Sequence, residues 1–405
     1  FGVPVGKFEG VQESLGRIAG FAYLMESLRR LTAVAVDMGE KPSVLSAIAK
    51  FHATEMMRQS INDAMDIHGG KAICDGPRNY LANVYHALPV SITVEGANIL
   101  TRNLIIFGQG AIRCHPYLIE EMRAANDDDD KRSLDTFDAL IWRHAGHQLL
   151  TLGRSLAHNL TFGWIASAPQ AGKATRHYRQ LARASASFAL LAEAALVTLG
   201  GALKRKERVS ARLGDALSYL YILSAALKRF EDDGRPESDL PLLGWCTQHC
   251  LYQVQLALDG VLANFPNRPL AWLLRPFVFP LGRHRRPPSD KLTGQIADLL
   301  LSPSDIRDRL TGGIYIGSTD QPLGQLEAAL KAVLDADAIT ARMRRAKIEN
   351  IDEAFAQKII NASEKETLEH AEQLTRAVIA VDDFAAEDIS PLWNRPRAGQ
   401  TSQEK

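Results

Sequence analysis

The most constraining feature of this sequence is an apolar pattern with the period of an α-helix, which recurs along most of its length. Near the start of the chain, apolar residues alternate spacings of four and three, which places them on one helical face. They are Val11, Leu15, Ile18, Ala22 and Met25. Strand patterns are scarce, and only residues 313–317 (Gly-Ile-Tyr-Ile-Gly) offer a weak one. The sequence therefore predicts an all-α fold.

Glycine and proline mark the breaks between the predicted helices. Pro42 and Ser43 predict a helix start, and the helix that follows is predicted to stop at Gly69 and Gly70. Pro89 is predicted to end a short helix. The later helices are predicted over residues 79–87, 98–107, 134–160, 175–203, 207–231, 239–264, 321–335, 338–362 and 364–382.

An acidic run divides the chain into two helical regions. Residues 127–130 are all Asp and are followed by Lys131 and Arg132, a pattern typical of a solvated linker. We therefore predict a helical bundle over residues 1–121, an acidic linker over 122–132 and a second helical domain over 133–384. The polar tail over 385–405 is predicted to be loose.

Composition excludes several classes of function. The 405 residues carry 47 basic and 47 acidic side chains, so no strong global field predicts a nucleic-acid partner. Four cysteines in so long a chain make no disulfide framework and suit a reducing cytoplasm. The longest apolar stretch, residues 188–203, carries Glu193, so a membrane-spanning helix is not expected. The sequence shows no basic-then-apolar secretory leader. Because the chain begins with Phe-Gly rather than Met, we expect a piece of a longer protein.

One glutamate has the surroundings expected of a catalytic base. Glu95 follows the apolar residues Val90, Ile92 and Val94, and it precedes Gly96 and an apolar helix. A carboxylate placed there is expected to be largely desolvated, and burial disfavours its charged form and makes it a better proton acceptor. The alternative is that Glu95 caps the following helix, because acidic residues favour first turns.

Three motifs resemble those of the acyl-CoA dehydrogenase family, in the same order along the chain. The segment Thr93-Val-Glu-Gly-Ala-Asn-Ile-Leu-Thr-Arg102 resembles the signature that begins Glu-Gly and ends on Arg. Ile67-His-Gly-Gly70 resembles the family's Gln-x-x-Gly-Gly turn, which approaches the flavin nucleotide of a neighbouring subunit. Phe1-Gly2 resembles the Phe-Gly that opens the same domain. Asp66 stands where the family usually has Gln, and Ala97 replaces a common Thr.

The resemblance implies a function and a set of roles. It implies an all-α dehydrogenase domain, FAD as the cofactor, and oxidation of medium-chain or long-chain acyl-CoA to trans-2-enoyl-CoA in fatty-acid β-oxidation. The added second region resembles the extra domain of the long bacterial enzymes. An electron-transfer flavoprotein would accept the electrons, and the Gly-Gly turn implies a homodimer. The implied site residues are Glu95 as base, Gly96 and Arg102 for substrate, and Phe1, Gly69, Gly70, Gly96 and Ala97 for the cofactor.

Two alternatives to the dehydrogenase remain. One is a helical binding or scaffold module that keeps the bundle without catalysis. The other is an acyl-CoA oxidase, which would retain the flavin and react with oxygen. Comparing reoxidation by air with reoxidation by an electron-transfer flavoprotein separates the oxidase from the dehydrogenase.

Two further sequence patterns concern membrane contact and metal binding. Residues 264–286 interleave aromatic residues with arginines and contain four prolines, which suits either a peripheral membrane contact at the inner face of the cell membrane or an apolar hairpin packed on the bundle. Cys246, His249 and Cys250 have no second ligand pair, and no metal is expected there. Nor is one expected at His144 or His147.

Overall fold

A computed structural model describes residues 4–385, except for the side chains of residues 112–114. Every regular element in this range is helical, so the all-α prediction is confirmed. Phe1 lies outside the described residues. The helices before the acidic run are α1 (Glu9–Asp37), α2 (Ser43–His68), α3 (Gly70–Ile73), α4 (Ala82–Thr93), α5 (Asn98–Leu100), a π-helical stretch (Thr101–Ile106), α6 (Phe107–Cys114) and α7 (Leu118–Ala125). The later helices are α8 (Asp130–Leu160), α9 (Thr175–Leu199), α10 (Glu207–Asp232), α11 (Leu240–Asn264), α12 (Arg268–Val278), α13 (Asp290–Asp298), α14 (Asp305–Thr311), α15 (Pro322–Arg345), α16 (Ile351–Ala356) and α17 (Ala362–Ile379).

Several predicted helix ends are wrong, and the helix predicted over residues 338–362 is divided between the end of α15 at Arg345 and the short α16. Helix α4 continues past Pro89 to Thr93, because a proline removes only one intrahelical hydrogen bond and the next turn forms its own. The helical run that starts at Asn98 continues past Gly110, whose missing side chain leaves room for Val44. Helix α15 shows no break at residues 336–337, because no glycine or proline interrupts it there and Ala336 is buried.

The chain divides into two compact units. The larger contains the residues up to Asp63 together with Ala87–Gly312, and the smaller contains Ala64–His86 together with the residues from Gly313 onward. These compact units are not divided at the predicted linker. The predicted domain boundary at residues 122–132 stays a prediction.

The core of the larger unit is centred on the packed pair α10 and α11. Apolar residues recur on the buried face of α10, including the fully buried Leu213, Ile222 and Leu223. Helix α11 contributes Cys246 and Cys250, and burial raises the pKa of both thiols. His249 stacks on Trp245, with ring centroids 5.0 Å apart, and burial lowers the pKa of this histidine to about 4. These residues are packed among the apolar side chains that fill the core.

The acidic run starts a helix. The Asp129 carboxylate accepts hydrogen bonds from the backbone N–H groups of Lys131 and Arg132, and α8 begins at Asp130. Acidic residues stabilise a helix N-terminus because four N–H groups there lack intrahelical partners. Asp127 also pairs with Arg132 through its side chain. Part of the predicted linker is therefore a helix cap.

Candidate active site

The Glu95 segment is a tight turn between α4 and α5. Glu95 has a φ of +54° and Gly96 has a φ of +94°, so both adopt left-handed backbone conformations. Glycine adopts such a φ at no steric cost, whereas glutamate does so only under constraint. Non-glycine residues in this region of φ/ψ space cluster at functional sites.

A lysine from α2 holds this turn in place. Lys50 Nζ donates to the carbonyl oxygen of Gly96 at 2.9 Å and to Asn98 Oδ1 at 2.7 Å. Asn98 is buried, and its Nδ2 donates to Glu55 Oε1 at 2.8 Å. The Thr101 hydroxyl also donates to the Gly96 carbonyl. A network that pairs all of these polar groups rigidifies the turn.

The Glu95 carboxylate itself projects into solvent. It is exposed, so the expectation of a desolvated side chain is wrong for this chain. The physical reason is the surface position of the turn, with Val94 and Ala97 exposed on either side. Within residues 4–385 no hydrogen bond to this carboxylate is recorded. The helix-cap alternative also fails, because Ala97 occupies the N-cap position of α5 and no side chain caps that helix.

Arg102 forms an ion pair with Asp215. Its Nε donates to Asp215 Oδ1 at 2.8 Å, and its Nη2 donates to Asp215 Oδ2 at 2.6 Å. This bidentate geometry matches the planar guanidinium to the carboxylate and ties the π-helical stretch to α10. A role for Arg102 in substrate binding stays a prediction.

The Gly69 turn lies in the smaller unit. Helix α2 ends at His68, Gly69 has a φ of +55°, and α3 begins at Gly70. Both glycines are exposed, and a side-chain carbon added at Gly69 would meet nothing within 4 Å. The turn therefore presents bare backbone to its surroundings. The predicted cofactor contacts of Gly69 and Gly70 stay predictions, as do those of Gly96 and Ala97.

Sequence reasoning missed the residues that support the turn. Lys50 lies 46 residues before Gly96, and nothing in the helical pattern around it indicates that it leaves its own helix surface to bind a loop. Asn98 is one of the few buried polar residues close to the turn, which is visible only once α2 and α5 are packed. No local sequence signal identifies Lys50, whereas Asn98 lies within the Thr93–Arg102 motif, which was the available signal for it.

A second polar cluster joins three helices and the loop before α7. His144 Nδ1 lies 2.7 Å from Glu121 Oε1, and its Nε2 lies 3.1 Å from Glu193 Oε2. His115 Nε2 lies 2.5 Å from Glu193 Oε1. Potential ligand atoms of His115, His144 and Glu193 all fall within 4.8 Å of one another, a separation that also suits a metal ion.

The protonation pattern of this cluster favours hydrogen bonding. His115 Nδ1 accepts from the backbone N–H groups of Tyr117 and Leu118, so the proton of a neutral ring is on Nε2, facing Glu193. A metal-bound histidine normally donates from its second ring nitrogen, and His115 accepts there. His144 faces a carboxylate at each ring nitrogen, which favours the doubly protonated imidazolium.

Comparison with known proteins assigns the family. The profile of the family described as "Acyl-CoA dehydrogenase, C-terminal, bacterial type" matches residues 112–384, and that of "Acyl-CoA dehydrogenase, C-terminal domain" matches residues 1–108. The chain belongs to the acyl-CoA dehydrogenase family. The resemblance identified from the Glu95 segment is thereby confirmed. The first domain match ends at residue 108 and the second begins at residue 112, both before the predicted linker over residues 122–132.

Matches to individual proteins cover less of the chain than the family profiles or have low sequence identity. A 3-(aryl)acrylate reductase from Clostridium sporogenes (strain ATCC 15579) is 34% identical over 70 residues, which is 17% of this chain and 19% of that protein. The crystal structure of an acyl-CoA dehydrogenase complexed with FAD from Bacillus anthracis superposes with a TM-score of 0.52 and 16% identity. That match covers 75% of this chain and 50% of the other, so the chain spans about half the length of this relative. At this identity the likeness shows the fold alone.

Proposed function

We propose that this chain carries the catalytic base of an FAD-dependent acyl-CoA dehydrogenase, with Glu95 in that role. The observation that supports the proposal is the conformation of Glu95, a constrained left-handed residue whose carboxylate is bound to no other group within the described residues. Such a carboxylate is free to accept a proton. Family membership supplies the reaction class.

The chemistry of the substrate explains the need for this arrangement. The α-proton of an acyl-CoA thioester is weakly acidic, so a base must be held close to it. Glu95 would take that proton while the pair of electrons forms the α,β double bond of a trans-2-enoyl-CoA. Bound FAD would accept the β-hydride that leaves at the same time. Gly96, without a side chain, leaves room for a thioester beside Glu95.

The residues present fit such a cofactor. In the smaller unit, the exposed backbone at Gly69 and Gly70 leaves room for a nucleotide to approach. In the larger unit, Ala97 is exposed and has a small side chain, which leaves room for a flat ring system. The known structure of the Bacillus anthracis relative contains FAD. We propose that the remaining half of the enzyme supplies most cofactor and substrate contacts and desolvates Glu95, so that the active site of this chain alone is incomplete.

Partners follow from the same proposal. An electron-transfer flavoprotein would reoxidise the enzyme, and a homodimer would place the Gly69 turn against a neighbouring subunit's cofactor. The substrate would be a medium-chain or long-chain acyl-CoA of fatty-acid β-oxidation. The enzyme would work in the cytoplasm, in part at the inner face of the cell membrane.

The decisive experiment uses the complete dehydrogenase and compares the native protein with Glu95→Gln. Gln has nearly the shape of Glu but cannot accept the proton at neutral pH. A long-chain acyl-CoA is expected to bleach the flavin absorption of the native protein and to leave that of the variant unchanged, although the variant still binds flavin. The rate is expected to fall at least about 10³-fold.

Three other outcomes would change the assignment. Equal bleaching of the flavin absorption in the two proteins would contradict the assignment of Glu95 as the base. Failure of both proteins to bind flavin would favour the scaffold alternative. Rapid reoxidation by air in preference to an electron-transfer flavoprotein would favour an acyl-CoA oxidase.

We also propose a peripheral membrane contact through helix α12. Its Trp272 and Leu273 are 67% and 63% exposed, whereas Ala271 and Leu274 on the other face are buried. Arg268 begins the helix and Arg286 follows it; both are exposed, and such arginines suit lipid phosphates. One longer segment, Gly172–Lys204, is apolar and long enough to cross a membrane by composition. It contains α9, which packs against α8, α10 and α11 in the same unit.

A further inference from the structure

Two arginines converge on one small cavity in the larger unit. Arg183 on α9 is only 5% exposed, and Arg285, in the segment after α12, is half-buried. Both line a cavity of about 30 Å³ together with His284. The apolar side chains that line it include Val254, Leu258, Val278 and Phe279.

The hydrogen bonds of these arginines go to neutral groups. Arg183 Nε donates to Asn159 Oδ1 at 2.8 Å, and Arg285 Nη2 donates to Gln180 Oε1 at 2.5 Å. The backbone of Arg285 exchanges two hydrogen bonds with the amide of Gln255. The terminal nitrogens of Arg183 have no recorded partner among the described residues, although five N–H donors are available on each guanidinium.

No carboxylate within the described residues forms an ion pair with either arginine. The nearby Arg275 and Arg283 behave differently, because both pair with Asp259, at 3.1 Å and 2.8 Å. Burial lowers the pKa of Arg183 to about 10. Burial, with the charges of Arg183 and Arg176, lowers the pKa of Arg285 to about 9. Two positive charges without a paired carboxylate therefore lie beside one poorly solvated cavity. Burying them is unfavourable in free energy unless an anion is bound.

The cavity is held in shape by its surroundings. The Phe162 ring lies 5.1 Å from the Arg183 guanidinium and 5.3 Å from the His284 ring. The Phe162 carbonyl accepts a hydrogen bond from Gln180 Nε2. Gly163, at φ +79°, leaves no room for a side chain, since an added carbon would lie 2.9 Å from the Arg179 carbonyl oxygen. The arginines are thus placed by neighbours that do not neutralise them.

We propose that this cavity binds an oxyanion of the phosphate class through Arg183 and Arg285. The planar guanidinium matches phosphate oxygens in pairs, and two of them from different segments supply several charge-assisted donors to one tetrahedral group. The apolar wall of Val278 and Phe279 suits a phosphate that carries a lipid tail, and a free phosphate has the same charged group. This site does not depend on the proposed dehydrogenase activity.

Thermal unfolding of the full chain tests the site. Sodium phosphate, compared with sodium chloride at equal ionic strength, is expected to raise the Tm of the native chain by about 2 °C or more. The Arg285→Gln variant should lose this increase. The Arg283→Gln variant is the matched control, because Arg283 is two residues away and already paired with Asp259, and it should keep the increase.

A second measurement distinguishes anion binding by Arg285 from a purely structural role of this residue. Without phosphate, Arg285→Gln should unfold at the same temperature as the native chain or higher, since it removes an uncompensated charge. A lower Tm with an unchanged phosphate response would overturn the proposal. So would a native chain whose Tm is the same in phosphate and in chloride. An Arg183→Lys variant repeats the test with the positive charge kept and the planar guanidinium removed.

Vesicles distinguish the two sources of phosphate. If the ligand is a lipid headgroup, vesicles of phosphatidylglycerol should bind the native chain at least about tenfold more tightly than Arg285→Gln, and Arg283→Gln should bind like the native chain. If the ligand is a free phosphate, vesicle binding should be equal in all three proteins, and the phosphate-dependent Tm increase should still depend on Arg285. Vesicle binding that depends equally on Arg283 and Arg285, without any specific effect of phosphate, would contradict a site.

Discussion

Lys50 donates a hydrogen bond of 2.9 Å to the carbonyl oxygen of Gly96, the residue that follows Glu95. The same ammonium group binds Asn98 Oδ1 at 2.7 Å, so one side chain from α2 bridges the turn and the start of α5. The constrained conformation of Glu95 is maintained by neighbours on both sides of the turn. Lys50 is therefore a positioning residue for Glu95.

Replacing Lys50 with methionine tests this positioning. Lys50→Met keeps most of the aliphatic length and removes the hydrogen bonds to Ile92, Gly96 and Asn98, which leaves the Gly96 carbonyl with the weaker Thr101 contact. In the complete dehydrogenase, kcat should fall about 10-fold to 100-fold with little change in flavin content, since misplacement of a base by ~1 Å reduces the rate by this order. The free energy of unfolding should fall by about 1–3 kcal/mol.

Lys291→Met is the matched control, because Lys291 is exposed and lies outside this network. Its kcat and unfolding should be those of the native enzyme. A Lys50→Met enzyme with native kcat would show that the turn keeps its geometry without the lysine.

The ion pair between Arg102 and Asp215 is expected to act mainly on stability. Asp215→Asn removes its charge, and Arg102→Lys removes its bidentate geometry. Because Arg102 is partly exposed, solvent screening limits the coupling energy to about 1 kcal/mol. A double-mutant cycle in urea, using both single variants and the double variant, measures this coupling. Strictly additive variants would contradict a coupled pair.

The cluster around His144 predicts a stability that decreases at alkaline pH. Burial lowers the pKa of His144 while its bonds to Glu193 and Glu121 raise it, and the net result lies above the ordinary value. The pKa of Glu193 is raised by burial and lowered by His115 and His144, with a net decrease. The stability contributed by His144 is complete below its unfolded pKa and is lost as pH rises through the folded value. That of Glu193 is lost as pH falls through its own folded value.

Chemical unfolding from about pH 5 to pH 9 measures this dependence. The native chain should lose stability progressively above about pH 6.5, and His144→Gln should show a smaller dependence in that range. His144→Ala should be destabilised by about 3 kcal/mol, because it leaves Glu193 buried with one partner fewer. His147→Gln, altered on the same helix, is the control. Identical pH profiles for native chain and His144→Gln would rule out the imidazolium.

The exposed face of α12 predicts how the chain binds to lipid. Changing Trp272 and Leu273 together to Ser removes the two most exposed apolar side chains of this helix without affecting its buried face. Flotation with anionic liposomes should fall at least about fivefold, which corresponds to ~1 kcal/mol. Val197→Ser, which changes a residue 65% exposed on α9, should float like the native chain. Undiminished flotation of the double variant would remove the membrane proposal.

The sequence alone determined the helical class and the family. Helical periodicity is a local property, repeated every three or four residues, so neighbouring side chains are enough to reveal it. The Glu95-Gly96 step and the Gly69-Gly70 turn are also local patterns, and they carried the resemblance to acyl-CoA dehydrogenases. The predicted helix ends at Pro89 and at residue 107 are wrong, because packing overrides the intrinsic tendency of single residues to interrupt a helix.

Only the tertiary structure decided which residues act together. Lys50 with Gly96, Arg102 with Asp215, and Arg183 with Arg285 are separated by tens of residues or more along the chain. Their contacts depend on how whole helices pack, and no local pattern encodes that packing. The exposure of a side chain also depends on tertiary structure. The apolar residues before Glu95 predicted a buried carboxylate, but the turn lies at the surface and Glu95 is exposed. Charges and polar groups acquire their roles from these distant neighbours, because solvation and pairing depend on position in space.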